Sequence, residues 1–264
     1  MVKTETKAGR RRASLSMAGV SHSYGDRTVL SGLDIEVHPG EFVVLVGPSG
    51  CGKTTLLNLL SAHIAPTAGK VVREGVIRTI YQHDGLFPWL TVAENILMGL
   101  RQVSSEIEKK RQLDELLRLV HLQSFADHYP HQLSGGMRQR VELARALAGD
   151  SDILLMDEPF SALDYQTRLR MRRELVRLLG ERPRTVVFVT HDIEEAAQLA
   201  DRVLVLSKSP ARIQRELRID APRPRGLTDP SVIEAMERIY TELGLDAEAL
   251  GEDTDAQPVE ELSQ

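Results

Sequence analysis

The chain has 264 residues, of which 42% are hydrophobic and 27% charged, and its formal net charge is −5. This composition excludes a collagen-like, coiled-coil or wholly disordered chain, and no apolar run approaches the roughly 18 residues of a membrane span. A single cysteine, Cys51, excludes an internal disulfide framework and a cysteine-based zinc cluster.

Charge is concentrated at the two ends of the chain. Residues 1–12 hold five basic side chains and one acidic one, whereas residues 241–264 hold eight acids and neither lysine nor arginine. The basic end is either a disordered tail or a weak contact for anionic lipid, and the acidic end is either a solvated tail or a regulatory or partner contact. Because the part between them is close to neutral, we expect no nucleic-acid partner. No apolar export signal follows the basic residues, so we expect a cytoplasmic protein.

The first part of the chain alternates short apolar runs with turns, as β-strands do. The run at 41–46 (EFVVLV) is continuous and β-branched, which predicts a buried parallel strand. A glycine-rich loop follows it, and residues 54–62 (TTLLNLLSA) are typical of a helix. The other strands predicted in this part are residues 15–20, 28–37, 70–72 and 76–81.

The middle of the chain predicts helices. Residues 91–102 begin with Thr91 and carry Glu94 three positions later, which is the spacing of a capping box. In the next segment leucines recur at helical spacing, with charges on the opposite face. We therefore expect an α/β core that is interrupted by a helical insertion over about residues 84–150.

Beyond residue 150, strands and helices alternate, which indicates a parallel sheet covered by helices. The sequence PRPRG at 222–226 interrupts this pattern, and residues 229–243 are typical of a last helix. The strands are predicted over 152–156, 185–189 and 202–206, and the helices near 165–180 and 192–200.

The strongest chemical signal is GPSGCGKTT, which follows the strand at 41–46 and precedes a helix. It matches G-x-x-x-x-G-K-[ST], in which glycines let backbone N–H groups converge on a phosphate chain and the helix start adds partial positive charge. In this pattern Lys53 reaches the β- and γ-phosphates, and the Thr54 hydroxyl ligates Mg²⁺. The nucleotide-binding residues predicted in this loop are Gly47, Pro48, Ser49, Gly50, Cys51, Gly52, Lys53, Thr54 and Thr55.

A pair of carboxylates, Asp157 and Glu158, follows the apolar run ILLM. A buried strand would deliver both to its carboxyl end, where open α/β sheets bind their ligands. Asp157 suits Mg²⁺ held through water. Glu158 suits a general base that polarises an attacking water.

A second glycine-rich segment, LSGGMRQR at 133–140, lies directly before a predicted helix. Ser134, Gly135 and Gly136 at a helix start form another anion-binding site. Because this segment lacks a lysine-bearing loop of its own, we expect it to serve the nucleotide of another molecule.

In this order, GPSGCGKTT, LSGG and an apolar run ending in DEP resemble the nucleotide-binding subunit of an ABC transporter over about residues 15–215. The resemblance implies a P-loop NTPase cassette, an α/β fold with a RecA-like core, an N-terminal antiparallel β subdomain and an inserted helical subdomain. It divides the chain into a basic tail (1–14), an ATPase domain (15–220) and a C-terminal helix with an acidic tail (221–264).

The resemblance also implies a dimer of ATPase subunits, either a homodimer or a heterodimer with a similar subunit. Two ATP molecules with Mg²⁺ would lie between the subunits, and Lys53 of one subunit would face Ser134 and Gly136 of the other. Cys51 is then either a small filler of its loop or a thiol whose modification blocks entry of ATP.

Four further residues take roles from the positions they match in the family. Tyr24 would stack on adenine, and Gln82 would contact Mg²⁺ and water and act as the hinge of the helical insertion. Asp164, in the segment SALD, would lie at the dimer contact. His191 would contact the γ-phosphate. With Glu158 and Lys53, the residues Gln82 and His191 complete the predicted catalytic set.

Residues 82–96 (QHDGLFPWLTVAENI) resemble the nitrate, sulfonate and taurine importer branch of the family, as do Met137 and the PRPR sequence. The stretch between Gly69 and Gln82 departs from that branch because it is shorter than its usual pattern. We expect membrane permease subunits to dock near Gln82–Asn95. Trp89 would either anchor that contact or belong to the core of the insertion.

These expectations describe an ATP-hydrolysing subunit at the cytoplasmic face of the membrane, peripheral to it, that powers import through a separate permease. The solute would be a small anion of the nitrate, sulfonate or taurine type, delivered by a solute-binding protein. The alternative is the ATPase subunit of an exporter, or of an importer for a different small organic solute.

Overall fold

The computed structural model describes residues 14–81 and 85–245. Gln82, the basic N-terminal segment and the acidic segment beyond residue 245 therefore lie outside the described residues. The described strands are β1 (Ser14–Tyr24), β2 (Arg27–Val37), β3 (Phe42–Val46), β4 (Ala68–Glu74), β5 (Ile77–Ile80), β6 (Ile153–Asp157), β7 (Thr185–Val189), β8 (Arg202–Leu206) and β9 (Ile213–Arg218). The described helices are α1 (Lys53–Leu60), α2 (Val92–Leu97), α3 (Glu106–Leu119), α4 (Gly135–Leu147), α5 (Tyr165–Glu181), α6 (Ile193–Leu199) and α7 (Pro230–Leu243).

The strands form two sheets. The smaller sheet is antiparallel and has the order β2-β1-β4. The larger sheet has the order β5-β6-β7-β3-β8-β9, in which all neighbours are parallel except the pair β8 and β9. The predicted fold class, a mixed α/β cassette with a parallel core and an antiparallel β subdomain, is confirmed.

Strands β3, β6, β7 and β8 are buried on both faces, which explains their continuous apolar sequences. On one face Phe188 packs between Phe42 and Phe160, with ring centroids 5.7 Å apart in each pair. On the other face Leu45 and its neighbours pack with residues of α1 and of the antiparallel sheet. Since β7 lies between β6 and β3, the loops after these three strands emerge side by side at one edge.

Helices α2, α3 and α4 follow β5 and precede β6, which is where the insertion is predicted. The capping box at the start of α2 is confirmed, because Glu94 N donates to Thr91 Oγ1 (3.2 Å) and Thr91 N donates to Glu94 Oε2 (2.7 Å). The prediction that this helix runs to residue 102 is wrong. It ends at Leu97 and continues as one 3₁₀ turn. Gly99 in that turn packs closely on α4, where an added Cβ would lie 2.4 Å from Arg145 O.

The last residue of the PRPR sequence, Arg225, is buried and packs against the carboxyl end of α6. The Arg225 guanidinium donates to Ala197 O (3.2 Å) and to Ala200 O (2.6 Å), so it satisfies carbonyls that the helix end leaves unpaired. Burial lowers the pKa of Arg225. Arg225 thus fixes the segment that leads into α7.

None of the helices in the described parts of the chain combines the length and the apolar character that crossing a bilayer requires.

Candidate functional site

The side chains that follow the carboxyl ends of the parallel strands and are predicted to bind nucleotide line one cavity of about 610 Å³. This cavity is here called the nucleotide cavity. It opens where the loops after β3, β6 and β7 emerge, together with the turn between β1 and β2. The residues that line it are Tyr24, Arg27, Val29, Gly47, Ser49, Gly50, Gly52, Lys53, Thr54, Thr55, Asp157, Glu158, Val189 and His191.

The phosphate loop, Gly47–Thr55, wraps the start of α1. Gly52 caps this helix with a left-handed φ of 116°, and it offers no side-chain cap. A Cβ at this position would also lie 2.8 Å from Leu30 Cδ2 and 2.9 Å from Val29 Cγ1, so only glycine fits. With no acidic residue in its first turn, the helix start presents backbone N–H groups to the cavity.

Lys53 lies inside the phosphate loop. Its ammonium donates to Gly47 O at 2.7 Å and to Pro48 O at 3.0 Å, and it lies 4.0 Å from Cys51 Sγ. These contacts hold the charge close to where the loop amides converge. Cys51 itself is buried beneath the loop.

The loop after β6 carries the two predicted carboxylates into the cavity. Asp157 is buried at the end of the strand. Glu158 has a φ of +48°, a conformation that costs a non-glycine residue about 1–3 kcal/mol and recurs at functional sites. Its backbone N–H donates to Val189 O at 2.9 Å, which ties this turn to the end of β7.

His191 lies directly beside Glu158. The Nδ1 atom of His191 is 3.1 Å from Glu158 Oε1. The histidine side chain is 67% exposed, whereas that of Glu158 is only 18% exposed. The imidazole therefore stands at the mouth of the cavity and can hold the carboxylate in one orientation.

Tyr24 and Arg27 face each other across the two-residue turn between β1 and β2. The Tyr24 ring is 53% exposed, and the edge-on ring of His22 supports it at a centroid distance of 4.7 Å. An exposed ring of this kind can stack on a base. Arg27 was missed from the sequence, although its register opposite Tyr24 in a tight hairpin was a usable signal.

Six predicted site residues that the structure describes do not line the nucleotide cavity: Pro48, Cys51, Ser134, Gly135, Gly136 and Asp164. Ser134 is the N-cap of α4, where its hydroxyl accepts from Met137 N at 3.3 Å, and Gly135 and Gly136 begin that helix. Asp164 is the N-cap of α5 and accepts from Thr167 N at 3.0 Å. Its hydrogen bonds from Thr167 lower the pKa of this carboxyl. Gln82 falls outside the described residues, so its predicted roles stay predictions.

The comparisons with known proteins agree with this architecture. A family model described as "ABC transporter" matches residues 30–161. The chain belongs to the ABC transporter family. It is an ATPase of that family, which couples ATP hydrolysis to transport.

Relatives within the ABC transporter family carry different substrate names. The chain is 44% identical to the aliphatic sulfonates import ATP-binding protein SsuB 1 of Nocardia farcinica, over 88% of this chain and 93% of the relative. It is 43% identical to the spermidine/putrescine import ATP-binding protein PotA of Nitratidesulfovibrio vulgaris, over 73% of this chain and 56% of the relative.

A solved structure of the family has the same fold. It is a dimeric structure of MJ0796, a bacterial ABC transporter cassette, with a TM-score of 0.72 and 32% identity. The match covers 79% of this chain and 100% of that structure.

Proposed function

We propose that this chain is the ATPase subunit of an importer and hydrolyses ATP between two subunits. The observation that carries the proposal is the convergence of Lys53, Asp157, Glu158 and His191 in the nucleotide cavity. Lys53 and the amides of the phosphate loop bind the phosphate chain, and Tyr24 stacks on the adenine. Glu158 and His191 then lie beside the γ-phosphate, at the far end of the phosphate chain from the adenine.

Hydrolysis requires a water to attack the γ-phosphate. Glu158 accepts a hydrogen bond from that water and polarises it, and the His191 ring holds the carboxylate in place at 3.1 Å. The strained backbone at Glu158 fixes the carboxylate before ATP arrives, so no reorganisation is needed during the reaction. The Lys53 charge and the α1 start stabilise the negative charge of the transition state.

Mg²⁺ fits the side chains on this face of the cavity. Thr54 and Asp157 both line it and offer the oxygen ligands that Mg²⁺ prefers, and Gln82 is proposed as a third ligand. The described residues contain no group of three or more His, Cys, Asp and Glu side chains around one point, so these residues would hold the ion together with phosphate and water oxygens. When bound, Mg²⁺ neutralises charge on the phosphates.

The second half of each site is proposed to come from another subunit. The signature segment, Leu133–Arg140, presents the start of α4 to the surface, outside the nucleotide cavity of its own chain. Its two glycines and Ser134 are therefore available to the nucleotide of a second subunit. The dimeric MJ0796 cassette, which shares the fold, supports this arrangement, and Asp164 would lie near the same contact. Both a homodimer and a heterodimer with a similar subunit fit this geometry.

Mixing two inactive variants tests the shared site. Lys53→Ala removes the phosphate contact, and Ser134→Arg blocks the signature segment, so each variant alone should lack ATPase activity. A mixed dimer contains one site in which the intact Lys53 of one subunit faces the intact Ser134 of the other. We expect mixing to restore ATPase activity; no recovery, with dimers detected by sedimentation, would show that the signature segment does not act across subunits.

A permease is proposed to dock beside the described part of the segment Gln82–Asn95. Trp89 is 70% exposed there, which rules out the alternative that it belongs to the core of the insertion. Next to it Phe87 contacts Trp89 at 5.6 Å and lies under the Arg145 guanidinium at 5.6 Å, at the wall of a groove of about 360 Å³. An exposed apolar surface of this kind is typical of protein contacts. Trp89→Ala should reduce co-purification of the permease, and unchanged recovery would place the docking surface elsewhere.

The proposed cargo is a small anion of the nitrate, sulfonate or taurine type, supplied by a solute-binding protein. The likeness to the sulfonate import protein of Nocardia farcinica supports a sulfonate. The similar likeness to a spermidine/putrescine import protein supports the alternative of another small organic solute. ATP-dependent uptake of labelled taurine, an alkanesulfonate, nitrate and spermidine into vesicles with the permease decides among them, and ATP-dependent efflux would indicate an exporter.

The proposed place of the protein is the cytoplasmic face of the membrane, held there by the permease. The proposed domain division remains a basic tail (1–14), the ATPase domain (15–220) and a C-terminal helix with an acidic tail (221–264). The position of α2–α4 between β5 and β6 supports the inserted helical subdomain.

A further inference from the structure

Gln139 joins the signature segment to the turn that carries Glu158. It lies on α4, one turn beyond the helix start, and it is buried. Its side-chain amide donates to Glu158 O at 3.0 Å and to Ser161 Oγ at 3.3 Å, and it accepts from Ala162 N at 2.9 Å. One side chain thus reaches both ends of the loop 158–162.

These partners fix which way the amide points. The carbonyl of Glu158 can only accept and the N–H of Ala162 can only donate, so the donor nitrogen faces Glu158 and the acceptor oxygen faces Ala162. A carboxylate at this position would turn an oxygen toward the Glu158 carbonyl, and an apolar side chain would leave both backbone groups without this partner. The site therefore requires an amide of this length.

The strained turn at Glu158 depends on these hydrogen bonds. The backbone N–H of Glu158 donates to Val189 O, and its carbonyl accepts from Ser161 N (3.1 Å) and Ser161 Oγ (3.0 Å) within the loop and from Gln139 Nε2 (3.0 Å) on α4. A residue with a φ of +48° keeps that conformation only when its surroundings hold it on both sides. From outside the loop, the Gln139 amide holds the carbonyl side of Glu158, and the end of strand β7 holds the N–H side.

The start of α4 also contacts the same loop directly. A Cβ at Gly136 would lie 2.9 Å from Ala162 O and 3.3 Å from Leu163 Cδ2, so the helix start and the loop are in close backbone contact. The middle of the loop is anchored by the buried Phe160 ring against Phe188. A shift of the signature segment would therefore move the loop 158–162. The amide of Gln139 makes the hydrogen bond between α4 and Glu158.

We propose that Gln139 is a positioning residue that couples the signature segment to the general base of the same chain. Contact of Ser134 with the nucleotide of the partner subunit sets the position of Glu158 in its own site, through Gln139 and the loop 158–162. This rests on the proposed function, because it requires the shared site and the role of Glu158 as base. It predicts that Gln139 governs turnover and leaves nucleotide affinity alone, since it does not line the nucleotide cavity.

Gln139→Leu tests the proposal, with Gln198→Leu as the matched control. Gln198 is a partly buried glutamine on α6 that also donates to a backbone carbonyl (Arg225 O, 3.3 Å) and accepts from a neighbour (Arg172, 3.1 Å). In Gln139→Leu we expect kcat for ATP to fall by about 10²-fold, the order of loss that a misplaced catalytic group causes, with the Kd for ATP unchanged. Gln198→Leu should lose thermal stability and keep its kcat. An equal kcat in the two variants overturns the proposal.

Gln139→Glu supplies a second test that does not depend on comparing stabilities. A glutamic acid donates to the Glu158 carbonyl only when it is protonated, and burial beside a carbonyl oxygen raises the pKa of a carboxyl. The ratio of its kcat to that of the wild type should therefore rise from mildly alkaline to mildly acidic buffer. A ratio that does not change with pH overturns the proposal.

Glu158→Gln, measured alongside, separates the two levels of inference. If Glu158→Gln still turns over at the wild-type rate, the role of the base is wrong and the proposal on Gln139 falls with it. If Glu158→Gln is inactive and Gln139→Leu turns over normally, only the coupling through Gln139 is wrong.

Discussion

Two glycine-rich helix starts in this chain differ in what surrounds them. The start of α1 is capped by Gly52, which offers no side chain, and it lies in the nucleotide cavity with Lys53 and Glu158. The start of α4 is capped by the Ser134 hydroxyl, which accepts from its own helix, and it lies outside that cavity. The first therefore suits a polyphosphate that is bound within its own chain.

The difference supports the proposal that neither helix start completes a site by itself. The α1 side has Lys53, the strained Glu158 that is proposed as the base, and the Tyr24 ring that is proposed to stack on adenine, all in one cavity. The α4 side has two glycines and a hydroxyl, and it is joined through Gln139 to the loop that carries the base. We infer that the α1 side binds and hydrolyses ATP, and that the α4 side contacts the nucleotide of a second subunit and positions Glu158 of its own chain in response.

Glu158→Gln should give the largest effect on the α1 side. The amide keeps the size of the side chain but cannot take a proton, so we expect turnover to fall by about 10²–10⁴-fold. ATP should still bind, because Lys53 and the loop amides are unchanged, and the uncleaved ATP should favour the closed dimer. Steady-state ATPase assays with nucleotide-binding and sedimentation measurements check this.

Glu237→Gln is the control for this change, because it makes the same substitution at an exposed site on α7. It should behave as the wild type. Wild-type turnover in Glu158→Gln, with the permease present, would contradict the assignment of the base.

The sequence predicted the parts of the fold that are set by buried apolar runs. Strands β3, β6, β7 and β8 lie where continuous apolar residues predict them, because both faces of the sheet are covered. Strand β9 was missed, since as an exposed edge strand it carries mostly charged and polar side chains (IQRELR). Its pairing with β8 comes from backbone hydrogen bonds, which leave no apolar pattern.

The candidate site divides in the same way. The phosphate loop and the carboxylates were predicted because their residue types and spacing follow from phosphate and Mg²⁺ chemistry. Gln139 was missed because its significance comes from the loop 158–162, which is distant in the chain. Arg27 was missed although its register opposite Tyr24 in the hairpin was a usable local signal. A glutamine on a helix carries no signal of its own until the helix is packed.

Tyr24→Ala should give an intermediate effect, again on the α1 side. Stacking of one base on an aromatic ring is worth about 1–3 kcal/mol, so we expect the Kd for ATP to rise by about 5-fold to 150-fold. Tyr24→Phe keeps the ring and should keep the affinity. Equilibrium titration with a fluorescent ATP analogue measures both.

Tyr240→Ala is the control for Tyr24→Ala, since Tyr240 is also an exposed tyrosine and lies on α7. Its affinity for ATP should be that of the wild type. Equal affinities for Tyr24→Ala and Tyr240→Ala would show that the ring does not contact adenine, and the cavity would have to bind the nucleotide through its phosphates alone.

Asp164→Asn should give the smallest effect. It tests the α4 side of the comparison, because Asp164 is proposed to lie near the same subunit contact as the start of α4. Asp164 caps α5, and its hydrogen bonds from Thr167 lower the pKa of the carboxyl. A lowered pKa means that the ionised cap stabilises the fold above the unfolded-state pKa, and that this contribution is lost as the pH falls through the folded-state pKa. Asparagine caps a helix about as well and does not titrate. The melting temperature should therefore match the wild type near neutral pH and fall less steeply in acid.

The same variant separates the cap from a role at the subunit contact. If Asp164 also contacts the partner subunit through its charge, ATPase activity should fall slightly in Asp164→Asn while the melting temperature near neutral pH stays constant. The loss of activity should be smaller than in Glu158→Gln or Tyr24→Ala, because Asp164 is exposed and its charge is screened. That loss should shrink at high salt, since salt screens charges at an exposed contact. Unchanged activity at every ionic strength would leave Asp164 as a helix cap only, and the link from the partner to Glu158 would then run through Ser134 and Gln139 without help from this carboxylate.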